Sequence, residues 1–528
     1  MLSFLEASDT SIDDVGAHLK KMVEIGIALS AEKNIDTLFD MIVEEARALA
    51  MADSGTLYIL DRDRNVLSFK ILQNNSLGLH LKRTENAEIL LPDVDLYHGE
   101  SPNYENASSF AALQGKILNI PDVYASTTFD FTGPMKYDSV TGYRSQSMLV
   151  IPMKNHENEV IGVLQLLNAQ EVESGRVVPF GDRCVSLVEA LASQAAVALT
   201  NRQLIQEIKK LFYSFIETIA GAIDEKSPNT GDHIKRVVKI TMALAMAVNE
   251  SNQGLFKEHF FDDEEMEELR LSAWMHDVGK ITTPEYVMDK STRLESKFDR
   301  IHLIETRFSL IAEIVEKQYL EKQVKLLQSR ETSSDIFLEL EKARKENLSS
   351  IHEDLAFIKT CHRAEFVNDK MIHRLNKIAE KQYIVSGKIQ PFLDPWELEN
   401  LSIQKGSLNE TERHIIENHA TMTLKMLSCL PFPKNLSRVT DFAASHHERL
   451  NGTGYPRKLK GDALPLQARI IAIADIFEAL SARDRPYRKR MEISHIFEIM
   501  GKMKENGHID PDLFDLFVRS DIGKKVKL

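Results

Sequence analysis

The 528-residue sequence predicts a multidomain chain: an α+β domain first, then an all-α helical bundle with a helical, coiled-coil-like insertion. Three observations predict this. Residues 14–200 mix helical and strand-like periodicities. From about Lys210 to the end, nearly every segment reads as helix. Within that helical part, residues 308–399 form an unusual stretch rich in Glu, Lys, Gln and Leu. The expected division is an N-terminal segment 1–19, a mixed domain 20–200, a linker helix 201–222, a first bundle part 223–307, the insertion 308–399 and a second bundle part 400–528.

In the mixed domain, Ile35, Leu38, Phe39, Ile42 and Ala46 keep helical spacing. Gly55–Leu60 is strand-like, and the polar run Asp61–Asn65 turns it into Val66–Phe69. Ser147–Pro152 and Val160–Leu167 read as two strands joined at Asn155–Asn158. Leu204, Ile208, Leu211 and Phe215 are spaced four, three and four apart, a short coiled-coil seam. Such a seam fits either a dimer or a helix packing on its own domain. In the insertion, Ile351, Leu355 and Ile358 keep helical spacing, and Arg330–Asp335 is the turn of a helical hairpin with Asp335 as the next N-cap. Asp510-Pro511-Asp512 opens a last helix with an N-cap and a proline at its first position.

With 43% apolar and 27% charged residues the chain has ordinary globular composition. A net charge of −14 argues against binding nucleic-acid polymers, while a local metal cluster would still admit a small anionic substrate. Cys184, Cys361 and Cys429 form no CxxC pair and suit a reducing compartment. Neither a signal peptide nor a membrane span is expected, which makes the cytoplasm the expected location.

Two motifs carry the chemistry: His276-Asp277-Val278-Gly279-Lys280, and His446-His447-Glu448-Arg449-Leu450-Asn451-Gly452-Thr453-Gly454-Tyr455-Pro456. Together they resemble the name-giving motifs of the HD-GYP phosphodiesterases. Gly142–Pro152 and Gly162–Asn168 resemble the GAF sensory domain. The resemblance implies a GAF-like sensor controlling an HD-type bundle that hydrolyses cyclic di-GMP to pGpG, and further to GMP, by a metal-bridging hydroxide. A related cyclic dinucleotide such as cyclic GMP-AMP is a second substrate. A catalytically weak domain that binds nucleotide or docks partner proteins is the alternative.

Imidazole and carboxylate ligands suit two divalent cations, iron or manganese. The candidates are His233, His276, Asp277, His419, His446, His447 and Asp475, each in a helical pattern. Residues adjacent on a helix point about 100° apart, so Asp277 bridges two metals while His276 binds one. His302 and His414 lie outside the set. By the resemblance, Asp277 and Lys280 are catalytic, and Lys280, Arg449, Tyr455, Arg485, Arg488 and Lys489 bind substrate phosphates and bases. Three-metal members resemble Glu-Thr-Gly-x-His, whereas this chain reads Asn229-Thr230-Gly231-Asp232-His233. Asn229 is a poor ligand, which favours two metals, and Asp224 or Asp232 is the candidate substitute for a third. Asn451 stands where the family usually has Asp. The GAF-like domain lacks a complete cyclic-nucleotide signature, since Asn168 precedes Ala169 and Phe180 precedes Gly181-Asp182-Arg183. An unknown small molecule or homodimerisation is its expected role.

Overall fold

Strand β1 (Ala52–Asp61) sits at the centre of the first of two units, which span Met1–Phe212 and Tyr213–Leu528. The computed structural model describes residues 20–83, 92–171, 173–226, 232–252, 254–329, 333–482 and 491–526. β1 pairs on one side with β2 (Val66–Asn74) and on the other with the strand β6 defined below. The main antiparallel path is β3-β2-β1-β6-β5-β4, with β3 Leu79–Lys82, β4 Leu118–Ile120, β5 Met148–Lys154 and β6 Val160–Gln170; short strands Val94–Asp95 and Val177–Val178 add to β2 and β6. The predicted turns at 61–65 and 155–158 close the two hairpins, with Asn65 and Asn158 at φ 54° and 62°.

β1 is buried along most of its length because both sheet faces are covered. Alternate side chains point to opposite faces. Leu57 and Ile59 face helix α1 (Ile35–Ala50) and the first half of α2 (Asp182–Glu225). Tyr58 faces Ala107, Ala111, Val123 and Phe131. Full burial of a leucine such as Leu57 or Leu164 stabilises by about 1.5–3 kcal/mol. α2 contains an 18-residue window of mean hydropathy 1.3, long and apolar enough by length and composition to cross a membrane. Val188, Leu191, Ala195 and Leu199 of that helix lie in the core of the first unit. The seam residues Leu204, Ile208, Leu211 and Phe215 stay exposed, from 45% to 71%.

The second unit is helical. α3 (His233–Asn249), α4 (Asp263–Met275), α8 (Val439–Ala444) and α9 (Leu466–Ser481) share one core, to which Ile240, Leu269, Phe442 and Ile473 contribute fully buried side chains. A capping box between Asp262 and Glu265 starts α4, and another between Asn409 and Glu412 starts α7 (Glu410–Leu427). Asp510 caps Pro511–Arg519 as predicted.

Between these elements, α5 (Ile301–Gln328) and α6 (Ser334–Arg363) pack on each other. The ion pairs Glu316–Arg344 (2.7 Å) and Glu305–Lys359 (2.6 Å) run in opposite sequence directions, so the two helices are antiparallel. They have their own core, which runs from Leu294 through Phe308, Ile358 and Phe392 to Leu401. Two features depart from expectation. The N-cap of α6 is Ser333, with Asp335 in the first turn, where its carboxylate meets the positive end of the helix; residues 330–332 of the predicted turn lie outside the described residues. The predicted continuity of helix is broken by a hairpin, Gln382–Val385 with Lys388–Pro391, turning at Ser386-Gly387, both at positive φ.

Candidate metal centre

Three helices, α3, α7 and α9, and the turns that follow α4 and α8 bring seven predicted residues together. His233 opens α3. Asp232 stands at the N-cap position but its side chain makes no capping bond; instead the Asp224 carboxylate accepts the Ile234 N–H at 3.2 Å. Asp232 pairs with Lys235 on the surface at 2.7 Å, while Asp224 is buried beside His233, and burial pushes its pKa up to about 6. Of the two proposed substitutes for Asn229, only Asp224 therefore lies inward. Asn229 itself lies outside the described residues.

His276 and Asp277 do not continue a helix, contrary to the sequence pattern. α4 ends at Met275, and a 3-10 turn follows over Val278–Thr282. The turn closes against α7. A Cβ on Gly279 would fall 2.0 Å from the His419 carbonyl oxygen, so only glycine permits this approach. Likewise α8 ends at Ala444, and His446 and His447 follow in a turn. His276 still has helical dihedrals, but Asp277 (φ −101°, ψ 8°) leaves the helix and turns its two carboxylate oxygens to two groups of side chains.

Asp277 stands between two groups. Its Oδ2 lies 3.4 Å from His233 Nε2 and 3.2 Å from His276 Nε2. Its Oδ1 lies 3.4 Å from His419 Nε2 and 3.8 Å from His446 Nε2. Asp475, on α9, places Oδ1 3.4 Å from His233 Nε2 and 4.0 Å from His276 Nε2. Ligand atoms of His233, His276 and Asp277 all lie within 4.8 Å of one another, and so do those of His419, His446 and His447. The Lys280 ammonium donates to Asp277 Oδ2 at 2.5 Å.

The imidazoles are oriented from behind. His276, His419 and His446 each donate Nδ1–H to the carbonyl three residues earlier, those of Ala273 (2.7 Å), Ile416 (2.6 Å) and Ala443 (2.6 Å). A carbonyl only accepts, so Nδ1 carries the proton and Nε2 keeps its lone pair. The buried Nε2 atoms of His233, His276, His419 and His446, and Oδ1 of Asp277, find no hydrogen-bond partner among the described residues. Unpaired buried polar atoms are costly, and five gathered on the two sides of Asp277 fit cations coordinated by nitrogen and carboxylate oxygen.

The electrostatics agree. Burial, reinforced by the neighbouring His276, pushes His446 down to about 3, and burial also lowers His447 and His419, so these three imidazoles stay neutral. Burial works against the Asp277 charge, but Lys280 and the imidazoles outweigh it and hold the carboxyl well below its ordinary range. The centre thus keeps its carboxylate ionised and the three imidazoles of the second group unprotonated, as ligands must be. In the first group burial works against the charge, but the carboxylates of Asp277, Glu478 and Asp475 outweigh it and raise His233 to about 10, and those of Asp277 and Asp475 raise His276, so a cation there would take the place of a proton.

Tyr455 stands over the second group, its ring 4.9 Å from that of His447. A Cβ on Gly454 would lie 2.5 Å from Arg449 N, so the loop folds tightly back on the histidine turn. Asn451 faces away from the histidines: it accepts from Thr453 N (3.0 Å) and Oγ1 (2.7 Å) and donates to Asn506 O (2.9 Å). Its amide therefore shapes the turn. Arg449 is half-buried, with Nη1 3.4 Å from Thr453 Oγ1. Arg485, Arg488 and Lys489 lie outside the described residues. His302 and His414 are exposed and apart from the centre. Two neighbours went unpredicted. Glu478 contacts His233 Nδ1, and its Oε1 accepts Arg236 Nε at 2.6 Å. Lys226 donates to the carbonyls of Ile281 and Thr283, both at 2.7 Å, and so pins the turn that carries Lys280.

The family model for the GAF domain matches residues 34–199, and two for the HD domain match 230–363 and 385–513. A 3'3'-cGAMP-specific phosphodiesterase 1 of Vibrio cholerae is 38% identical over 28% of this chain and 33% of the relative. The 3'3'-cGAMP-specific phosphodiesterase 3 of the same organism is 47% identical over 21% of this chain and 23% of the relative. A cyclic di-GMP phosphodiesterase of Pseudomonas aeruginosa is 34% identical over 22% and 27%. The chain thus spans a third or less of the length of these relatives. Among solved structures, a GAF domain/HD domain protein from Geobacter sulfurreducens is 17% identical, with 33% of this chain and 98% of that chain covered and a TM-score of 0.24. By its matched segments the chain joins a GAF domain to an HD domain.

Proposed function

We propose that the chain is a metal-dependent phosphodiesterase acting on cyclic di-GMP, releasing pGpG and then GMP, under control of its GAF domain. The observation that carries this reading is the convergence of four unpaired imidazole nitrogens and an unpaired carboxylate oxygen on the two sides of Asp277. Two divalent cations, iron or manganese, would supply an acidified water and a clamp on the attacking and leaving oxygens of an in-line displacement. His233, His276, Asp277 and Asp475 would hold one, and His419, His446 and His447, with Asp277, the other. Lys280 keeps positive charge beside Asp277 where a phosphoryl group must be received. Tyr455 offers a ring and a hydroxyl at the second group, and Arg449, Arg485, Arg488 and Lys489 are the proposed phosphate and base contacts. No serine or cysteine nucleophile is needed.

A small molecule of unknown identity is the proposed ligand of the GAF domain, and a homodimer in the cytoplasm, joined along the exposed Leu204–Phe215 seam, is the proposed form. 3′3′-cGAMP is the second substrate reading, favoured by the names of the Vibrio relatives.

The test is anaerobic purification, metal analysis and chromatography of products after separate incubation with cyclic di-GMP and 3′3′-cGAMP. About two metal ions per chain with pGpG or GMP from the first substrate supports the primary reading. Turnover of 3′3′-cGAMP alone moves the assignment to the second. Absence of metal and product after reconstitution with iron and with manganese overturns both.

A further inference from the structure

The two ligand groups differ in what stands behind and around them. His276, His419 and His446 rest on neutral backbone carbonyls. His233 instead rests on a carboxylate, that of Glu478, whose second oxygen is held by Arg236 at 2.6 Å. Glu478 is 1% exposed and lies three residues after Asp475, on the same side of α9. A carboxylate behind an imidazole fixes its ring orientation and raises its donor strength at the far nitrogen, more than a carbonyl does. The groups also differ in charge. Both Asp277 and Asp475 face His233 and His276, whereas among the carboxylates of the described residues only that of Asp277, through Oδ1, pairs with His419 and His446. A dication entering the first position meets two carboxylates and a carboxylate-backed imidazole; one entering the second meets three imidazoles and one shared carboxylate.

We propose that Glu478, braced by Arg236, is the positioning residue for His233, and that the two metal positions are unequal, the His233–His276–Asp277–Asp475 position holding its cation more tightly. This rests on the reading of the site as a two-metal centre. The position beside Tyr455 is then the one that empties first, so the protein passes through a singly loaded state as free metal falls.

The test uses the full chain, stripped with chelator and titrated with Mn²⁺ alone by equilibrium dialysis, with the electron paramagnetic resonance spectrum recorded at each loading. Wild type should show two classes of site, filled in sequence, with spin coupling appearing only with the second equivalent. Glu478→Gln keeps shape and an acceptor but removes the charge; it should weaken the tight class by about 10–100-fold and leave the other class unchanged. His419→Ala should remove the weak class alone. Circular dichroism checks that each variant is folded, and should Glu478→Gln fail it, Arg236→Gln, with a smaller loss confined to the tight class, takes its place. One class of equal sites in wild type overturns the inference and leaves the two-metal reading standing. Equal weakening of both classes by Glu478→Gln also overturns it, since it marks a role in general packing. Wild type that binds no Mn²⁺ removes the two-metal reading itself.

Discussion

Gly279 and Thr423 meet across the bundle: the Gly279 N–H donates to Thr423 Oγ1 at 3.0 Å, and the same hydroxyl donates to the His276 carbonyl at 3.1 Å. One side chain on α7 thus holds the turn that carries His276, Asp277 and Lys280 against the helix that carries His419. Both Thr423 and His276 are fully buried, so the bonds form away from water.

Gly279→Ala should break this junction. Its Cβ would meet backbone atoms at 2.0 and 2.6 Å, and backbone cannot rotate aside. A cost of about 1–3 kcal/mol or more is expected, as for overpacking elsewhere, with lost metal in whatever protein folds. Thr423→Val is the gentler probe. It leaves a buried donor and acceptor unpaired, at about 1–3 kcal/mol. Denaturant melts read both, and an unchanged melting profile for Gly279→Ala would contradict the geometry.

Asp277→Ala should abolish loading of both metals and with it turnover, because both oxygens face ligand groups. Lys280→Ala should keep both metals and lose about 10²–10³-fold in rate, the scale seen when one charge-stabilising group is removed. Metal analysis beside product chromatography separates the two. An Asp277→Ala protein with two metals and full rate would show that the site is elsewhere.

The residues that converge on the candidate centre were legible in the sequence because paired histidines and a His-Asp pair are rare and sit in recognisable strings. What lies behind them was harder to read. Glu478 follows Asp475 by three residues in the apolar run Ile476-Phe477-Glu478-Ala479-Leu480, and an acidic residue there was the available signal. The ends of α4 and α8 carried no such signal: no glycine or proline marks Met275 or Ala444, and tertiary packing on α7 decides where the first helix stops. The hairpin at 382–391 was readable from Ser386-Gly387 between alternating residues, but the Glu- and Lys-rich surroundings favoured helix. Lys226 and Arg293 act on backbone carbonyls, which no side-chain pattern reveals.

In the first unit, Asp93 ties strand β2 to the arginines beside it. Its Oδ1 accepts the Phe69 N–H at 3.1 Å and Arg83 Nη1 at 2.5 Å, and Arg64 lies 3.1 Å from Oδ2. Burial raises its pKa, but the Phe69 amide and the arginines outweigh that and hold it below the ordinary 3.8. A carboxyl with a depressed folded pKa contributes stability above its unfolded pKa and loses it as pH falls through the folded value. The stability gap between wild type and Asp93→Asn should therefore be constant from neutral pH to about pH 5 and close below about pH 4. Thermal melts across that range check it; a gap that widens on acidification contradicts the assignment.

Lys290 and Glu412 should be the most mutation-sensitive pair outside the centre. The Lys290 side chain is fully buried, and its ammonium donates to Glu412 at 2.7 and 2.9 Å and to Asn400 Oδ1 at 3.0 Å. Burial lowers the lysine pKa, against which Glu412 keeps it charged. Glu412 also closes the capping box that starts α7, seven residues before His419. Removing the acid with Glu412→Ala strands the ammonium, for which about 3–5 kcal/mol is expected. The double variant Lys290→Met/Glu412→Leu has no stranded charge and should cost clearly less than Glu412→Ala alone, despite changing more atoms. Denaturant unfolding of the two variants decides this, because a double variant less stable than the single one would mean that the pair matters for its own attraction and not for the charge left behind.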